Sequence, residues 1–171
     1  MFYSFLSDRV VTGIIIQPVL ARGVGEIITA ESVSFGVERS PLFFSTYIYL
    51  DVRRETGGIY IGKNTFINNN ASIISDGCKI RIGDNCLIGT NVQIIDSDFH
   101  DLNPSTRFGG SNVLRADVNI MNNVFIGNNV TVLKGVTVGD NSVIASGSIV
   151  SSHIPANVIA AGVPAKVVRS I

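Results

Sequence analysis

The sequence predicts an all-β protein wound as a parallel β-helix, and three observations carry that prediction. The first is composition: in 171 residues, Ile and Val together number 44 against 8 Leu, beside 17 Gly and 15 Asn, with no Trp. β-Branched side chains suit a pleated, half-buried surface and Gly and Asn suit turns, whereas helical domains lean on Leu, Ala and Glu. The second is a six-residue period. With an aliphatic residue in first place, frames open at Ile61, Ile67 and Ile73, and resume after a three-residue slip at Ile82, Ile88 and Ile94. They are lost between His100 and Asn119, then return at Ile120, Ile126, Val132, Val138 and Ile144. The third is the fourth place of the frame, which holds Asn, Asp or Gly in ten of eleven cases, Ser97 being the exception. These residue types enter the left-handed region of backbone space at least cost.

The rest of the frame agrees. Its fifth place is mostly small or β-branched, as at Thr65, Ala71, Cys86, Val92, Val130 and Ser142. A period of six fits neither a helix nor a hairpin meander. It fits a short strand, a forced turn and another short strand, with Ile or Val stacked under its equivalent in the next coil. Three frames close a triangular coil of about 18 residues, and successive coils pair as parallel strands ~4.8 Å apart.

The N-terminal third follows the pattern less closely. Gly25 to Glu38, with alternating Ile27, Val33, Phe35 and Val37, reads as an irregular first coil, and Leu42 to Val52 as another. Residues 1–20 are apolar and aromatic without the repeat, which suits a cap over the open coil end or a contact with a partner subunit. The length favours a single domain. Within it, 1–58 form the cap and first coils, 59–155 the repeat with a loop at 100–119, and 156–171 a C-terminal tail.

Several function classes fall away. Zero net charge and 15% charged residues leave no electrostatic footprint for nucleic acid or anionic membrane. No stretch reaches the ~18 apolar residues of a membrane span. The longest apolar run, Val10 to Ala21, is broken by Thr12, Gln17 and Pro18, and the start Met1 to Phe5 lacks the basic cluster of a secretory signal. Cys78 and Cys86 make no disulfide framework, so a cytoplasmic chain with two reduced thiols is expected.

Two stretches go further than fold class. Ile82-Gly83-Asp84-Asn85-Cys86 through Asp98-Phe99-His100, and Val124-Phe125-Ile126-Gly127-Asn128-Asn129-Val130 through Gly162-Val163-Pro164-Ala165-Lys166, resemble the hexapeptide-repeat acyltransferases. The likeness is strongest to the maltose and galactoside O-acetyltransferases and related polysaccharide-modifying enzymes, and it covers residues 59–171. It implies a left-handed β-helix, a homotrimer with sites between subunits, acetyl-CoA as donor and a sugar hydroxyl as acceptor. The hand comes from the resemblance alone, since parallel crossovers are generally right-handed.

Acetyl transfer from a thioester to a hydroxyl needs a base for the hydroxyl proton and donors for the carbonyl oxygen. The chain has two histidines. His100 stands where a regular solenoid is interrupted, and loops on rigid scaffolds are where sites are built. The matching histidine of the family is the general base, and a neutral imidazole suits the task. On the acceptor side, Asn68 in Phe66-Ile67-Asn68-Asn69-Asn70 matches the family's sugar-contacting Asn and Asp76 an acidic sugar ligand. Plain turn chemistry is the alternative for both. Asp96, Asp98 and Asp101 flank the histidine, to orient it or to bind sugar, and Arg107 is placed to reach the acceptor or a coenzyme phosphate. On the donor side the resemblance implies contacts from Phe125, where relatives commonly carry Trp, and from Gly127, Asn128, Ala145 and Ser146. It extends to Ser151 and Ser152, where relatives have Thr-Lys, and to Lys166 and Arg169. The Asn128 amide is matched to the thioester oxygen, and the two terminal cations to coenzyme phosphate.

Three other functions use parts of this pattern. Zinc carbonic anhydrases share the hexapeptide β-helix but need three His ligands, which His100 and His153 do not supply, so no metal is expected. A non-catalytic scaffold has no use for the His100 loop. Acetylation of an amino sugar, or of an antibiotic hydroxyl such as that of chloramphenicol, uses the same base and donor and stays open beside the saccharide reading.

Overall fold

The computed structural model describes residues 2–109 and 111–171. Its strands form three sheets of eight, six and five members that make the faces of a triangular prism. The first face holds Ile14–Ile15, Ser34–Phe35, Phe66–Ile67, Leu87–Ile88, Phe125–Ile126, Val143–Ile144 and Val158–Gly162, with Ala165–Ser170 as its eighth, antiparallel member. The second holds Val19–Gly23, Ile48–Val52, Ser72–Ser75, Gln93–Ile95, Thr131–Val132 and Ile149–Val150. The third holds Glu26–Thr29, Gly58–Ile61, Lys79–Ile82, Val118–Ile120 and Thr137–Val138. Each strand pairs in parallel with the one a coil away, as in Ile67↔Ile88↔Ile126 and Ile73↔Ile94↔Val132. The first coil thus spans 14–29, starting earlier than the Gly25 expected from sequence. Chain 156–171 is a hairpin in which Ala165–Ser170 returns antiparallel along Val158–Gly162.

All eleven first-place residues, from Ile61 to Ile144, lie in the core, and the fifth-place Thr65, Ala71, Cys86, Val92, Val130 and Ser142 are buried with them. Burying each Ile or Val removes roughly 1.5–3 kcal/mol worth of apolar surface from water, so the stack is its own main source of stability.

The corners are made by asparagine. Between the third and first faces, Asn64, Asn85, Asn123, Asn141 and Asn157 all have φ of 56 to 61°. Their amides form a ladder, Asn123 to Asn141 at 2.9 Å and Asn141 to Asn157 at 2.8 Å. Between the first and second faces Asn70, Asn91 and Asn129 do the same at 2.8 and 2.9 Å. Asparagine is thereby used twice, for a left-handed backbone and for stacked side-chain bonds. The corner between the second and third faces has no such column. There the left-handed residue of the third coil is Gly77, with φ 126°, rather than the expected Asp76. The three extra residues of the register slip shift the turn by one position.

Both ends of the stack are covered. A short helix, Phe2–Leu6, leads into Ser7, whose hydroxyl accepts the Ala21 N–H at 3.1 Å, and Asp8 N–H donates to the Ala21 carbonyl at 2.9 Å. The edge strand Val19–Gly23 therefore does not present a bare ladder. Among the described residues no helix is long and apolar enough to cross a membrane.

Two insertions interrupt the winding. Residues 36–47 leave the corner between the first and second faces in the second coil. Residues 98–116 leave the corner between the second and third faces in the fourth; this loop includes Gly110, which lies outside the described residues.

Candidate active site

The corner between the second and third faces carries a column of charge. Asp76, 7% exposed, accepts from Arg54 Nε at 3.2 Å and from Arg115 Nε at 2.8 Å. The Ser97 hydroxyl lies 3.4 Å from its second oxygen. One coil on, Asp96 is fully buried and accepts the backbone N–H groups of Asp76 and Cys78 at 2.7 and 2.8 Å. Asp98 takes Lys134 Nζ at 2.6 Å. Burial and the facing Asp96 push the Cys78 thiol up, and burial does the same to Cys86.

His100 follows at once, exposed at the root of the insertion, with its backbone N–H on the Asp98 carbonyl at 2.7 Å. Its Nδ1 lies 3.4 Å from the Arg107 carbonyl oxygen, a long contact. A carbonyl only accepts, so the contact is a hydrogen bond in the tautomer with its proton on Nδ1, which carries the lone pair on Nε2. The loop beyond is organised by short-range turn chemistry. Asp101 accepts from the Asn103 N–H at 2.9 Å and the Thr106 hydroxyl at 2.8 Å, and these two bonds hold its carboxyl below the usual carboxylate range. None of the three flanking aspartates touches the imidazole. In the structure each has another partner: Asp96 caps a turn, Asp98 forms an ion pair and Asp101 folds the loop.

Between loop and corner lies a cleft of ≈ 430 Å³ lined by His100, Asp76, Arg54, Arg107, Arg115 and Phe108. That volume suits a small-molecule site. The structure thus unites three sequence-derived candidates, His100, Asp76 and Arg107, with Asp98 beside them. It adds Arg54 and Arg115, which lie outside the repeat frames and which no spacing in the sequence marks.

Most of the remaining candidates stand away from this corner. Asn68 donates to Ser40 Oγ at 3.0 Å and accepts the Asn69 N–H at 2.7 Å, at the corner between the first and second faces. Further along that corner, a Cβ added to Gly127 meets Ser146 N at 2.7 Å, so this place must be glycine for the next coil to close on it. Asn128 donates its backbone N–H to Ser146 Oγ at 3.1 Å and accepts the Thr90 N–H at 2.8 Å. Ala145 is half-buried and Ser146 exposed. Phe125 is one member of an outward apolar row, Phe66, Leu87 and Phe125, each between 45% and 49% exposed and paired in register on the first face. Lys166 and Arg169 are exposed on the last strand with no carboxylate partner among the described residues. Ser151 and Ser152 are exposed at the His100 corner, two coils on. Next to them His153 accepts the Thr137 N–H on Nδ1 at 2.9 Å, which gives that histidine a structural task. Among the described residues no three His, Cys, Asp or Glu side chains converge as metal ligands.

Comparison with known proteins bears on this geometry. The bacterial transferase hexapeptide family (six repeats) matches residues 117–152, and the hexapeptide repeat of succinyl-transferase matches 79–95. A putative acetyltransferase of Dictyostelium discoideum is 38% identical over 135 residues, covering 76% of this chain and 70% of the relative. The chain belongs to the hexapeptide-repeat acetyltransferase family. Galactoside O-acetyltransferase of Escherichia coli K12 is 45% identical over 113 residues, covering 66% of this chain and 54% of that one. The chain therefore spans about half the length of that curated relative. A galactoside acetyltransferase solved in complex with coenzyme A superposes with a TM-score of 0.62 at 35% identity, covering 87% of this chain and 64% of that one. The expected hand is that of the family fold, a left-handed parallel β-helix.

Proposed function

We propose that this chain transfers the acetyl group of acetyl-CoA to a hydroxyl of a saccharide, with His100 as general base. The observation that carries the proposal is the placement of His100. It is exposed in a cleft of ligand size, at the root of the long insertion on its corner, with its Nδ1 turned to a carbonyl. His100 takes the acceptor proton on Nε2, the acceptor oxygen bonds to the thioester carbonyl carbon, and the carbon–sulfur bond breaks as the protonated His100 returns that proton to sulfur, releasing the coenzyme thiol. No covalent bond to the protein is needed. Coenzyme A in the related galactoside enzyme supports the donor, and the O-acetyltransferase relatives support the reaction class.

The chain's surface suits such a donor. Phe125 offers an apolar face, Asn128 and Ser146 polar groups, Ser151 and Ser152 hydroxyls, and Lys166 and Arg169 charges for phosphate. These are spread over the first face and both edges of the second, so one chain does not gather them all around His100. A homotrimer does, because a heterologous contact setting the His100 corner of one copy against the Asn68–Asn128 corner of the next closes into a ring. In it Asn68 and Asp76 reach the acceptor from different copies, with Asp98 and Arg107 beside the base. The two free cysteines fit a reducing, cytoplasmic setting.

The test is thiol release from acetyl-CoA over a panel of mono- and oligosaccharides, comparing wild type with His100→Ala. The variant is expected to lose about 10²–10⁴-fold in kcat while remaining folded. Full activity in a folded variant removes the base assignment, and failure of the wild type to bind acetyl-CoA removes the proposal itself.

A further inference from the structure

The cleft beside His100 holds more positive charge than it neutralises. Arg54, Arg107 and Arg115 line it, against the carboxylates of Asp76 and Asp101. Asp101 gives its two oxygens to Asn103 and Thr106 of its own loop. Asp76 is shared by two guanidinium groups, each bonded through Nε. The neighbouring acids are engaged elsewhere: Asp98 with Lys134, Asp51 with Arg53 at 2.9 Å, and Asp96 with backbone N–H groups.

What is left over is specific. Arg54, whose side chain is 57% exposed, has no partner for its terminal nitrogens among the described residues. Arg107 reaches the Leu102 carbonyl through Nη2 at 3.3 Å and has no carboxylate partner among them. Asp76 holds Arg54 by Nε, which fixes that fork while leaving its outer edge available. A neutral sugar calls for hydrogen-bonding groups of both kinds and gains nothing from unpaired fixed cations. A carboxylate or phosphate matches a guanidinium fork in shape and charge.

We propose that the acceptor is an anionic saccharide, a sugar bearing a carboxylate or phosphate group. Arg54 and Arg107 hold the charge while the hydroxyl to be acetylated faces His100. This rests on the acetyl-transfer reading and narrows its acceptor. The coenzyme's own phosphates are a poorer match. Lys166 and Arg169 follow the last coils, whereas Arg54 and Asp76 belong to the second and third, and each coil is a ~4.8 Å step along the axis.

The experiment compares kcat/KM for a uronic or sialic acid, a sugar phosphate and their neutral counterparts, with acetyl-CoA as donor. The acidic acceptors are expected to lead by about tenfold or more at low salt, a lead that shrinks as NaCl is raised. The carboxylate and phosphate arms show which anion is meant. Arg54→Gln is expected to cut the acidic-to-neutral ratio about tenfold through the acceptor KM, and Arg54→Lys to restore part of it. If the glutamine variant does not fold, the salt dependence of the wild type decides. Neutral acceptors used as well as acidic ones overturn the inference and leave acetyl transfer standing. So does a rise confined to the KM for acetyl-CoA in Arg54→Gln. No transfer to any saccharide by a protein that binds acetyl-CoA overturns both.

Discussion

The two insertions leave the same scaffold but are held in opposite ways. Residues 36–47 are fastened from beneath by two amides with no exposed surface, Gln17 and Asn69. Asn69 donates to the carbonyls of Val37, Ser40 and Pro41 and accepts the Val37 N–H. Gln17 donates to the carbonyls of Leu42 and Phe43 and accepts the Asn70 N–H at 3.3 Å. These bonds join parts of the chain 25 to 53 residues apart. Beyond its base, 98–116 is held by side-chain bonds spanning two to seven residues; at the base the Asp98 N–H meets the Leu114 carbonyl, and Arg115–Asp76 and Lys134–Asp98 tie it to the scaffold. One insertion is anchored to the core by two buried amides. The other is a locally folded loop on a charged footing, free to adjust around a ligand.

The sharpest way to break this contrast is Asn69→Leu. It removes a fully buried amide's bonds to the carbonyls of Val37, Ser40 and Pro41 and to the Val37 N–H, of which only the Val37 carbonyl keeps another donor among the described residues, the Ser40 N–H, and about 3 kcal/mol of stability should be lost in chemical denaturation. A loss under about 0.5 kcal/mol would mean that 36–47 is not anchored as described. His100→Ala is the counterpart, expected to leave the denaturation midpoint unmoved. Next in size is Asp76→Asn, which removes the charge shared by Arg54 and Arg115. Arg115 is only 23% exposed, so part of the cost of an uncompensated buried charge applies, and about 1–2 kcal/mol is expected. A larger loss than for Asn69→Leu would reverse the ranking of the two footings.

The smallest effect is on pH. Asp101 titrates below its unfolded value because of the Asn103 N–H and the Thr106 hydroxyl. Its contribution is therefore complete above the unfolded value of about 3.9 and is lost as pH falls through the lower folded value. Amide exchange at Asn103 should hold steady from neutral pH to about 5, then lose protection below about 4 relative to Val37, whose anchor is an amide that does not titrate. Equal loss at both sites would place the acid response in the scaffold instead.

What could be read from sequence follows what repeats. The first and fifth places were identifiable because each packs on its own equivalent one coil away, so the same choice recurs. The first coil was harder to see because its corner between the first and second faces uses Gln17-Pro18 in place of asparagine. In Asn68-Asn69-Asn70 three identical residues do three jobs: a surface contact to Ser40, a buried anchor and a left-handed corner. Composition cannot say which is which. The cleft was legible at His100 because the break announces it. Arg54 and Arg115 lie 22 and 39 residues from Asp76, in irregular stretches, and only the winding brings them together.

The asparagine column between the third and first faces has a consequence for how such a molecule can vary. Along that seam the strands follow one another at a fixed interval from Ile61 to Phe66, Ile82 to Leu87, Ile120 to Phe125 and Val138 to Val143, and both insertions emerge at the other two corners. A segment added in the closed seam would break bonds to the coils on either side. One added at the open corners disturbs a single turn. New specificity is therefore gained by lengthening chain at two edges of the prism, and grafted loops should be accepted there and rejected at the third.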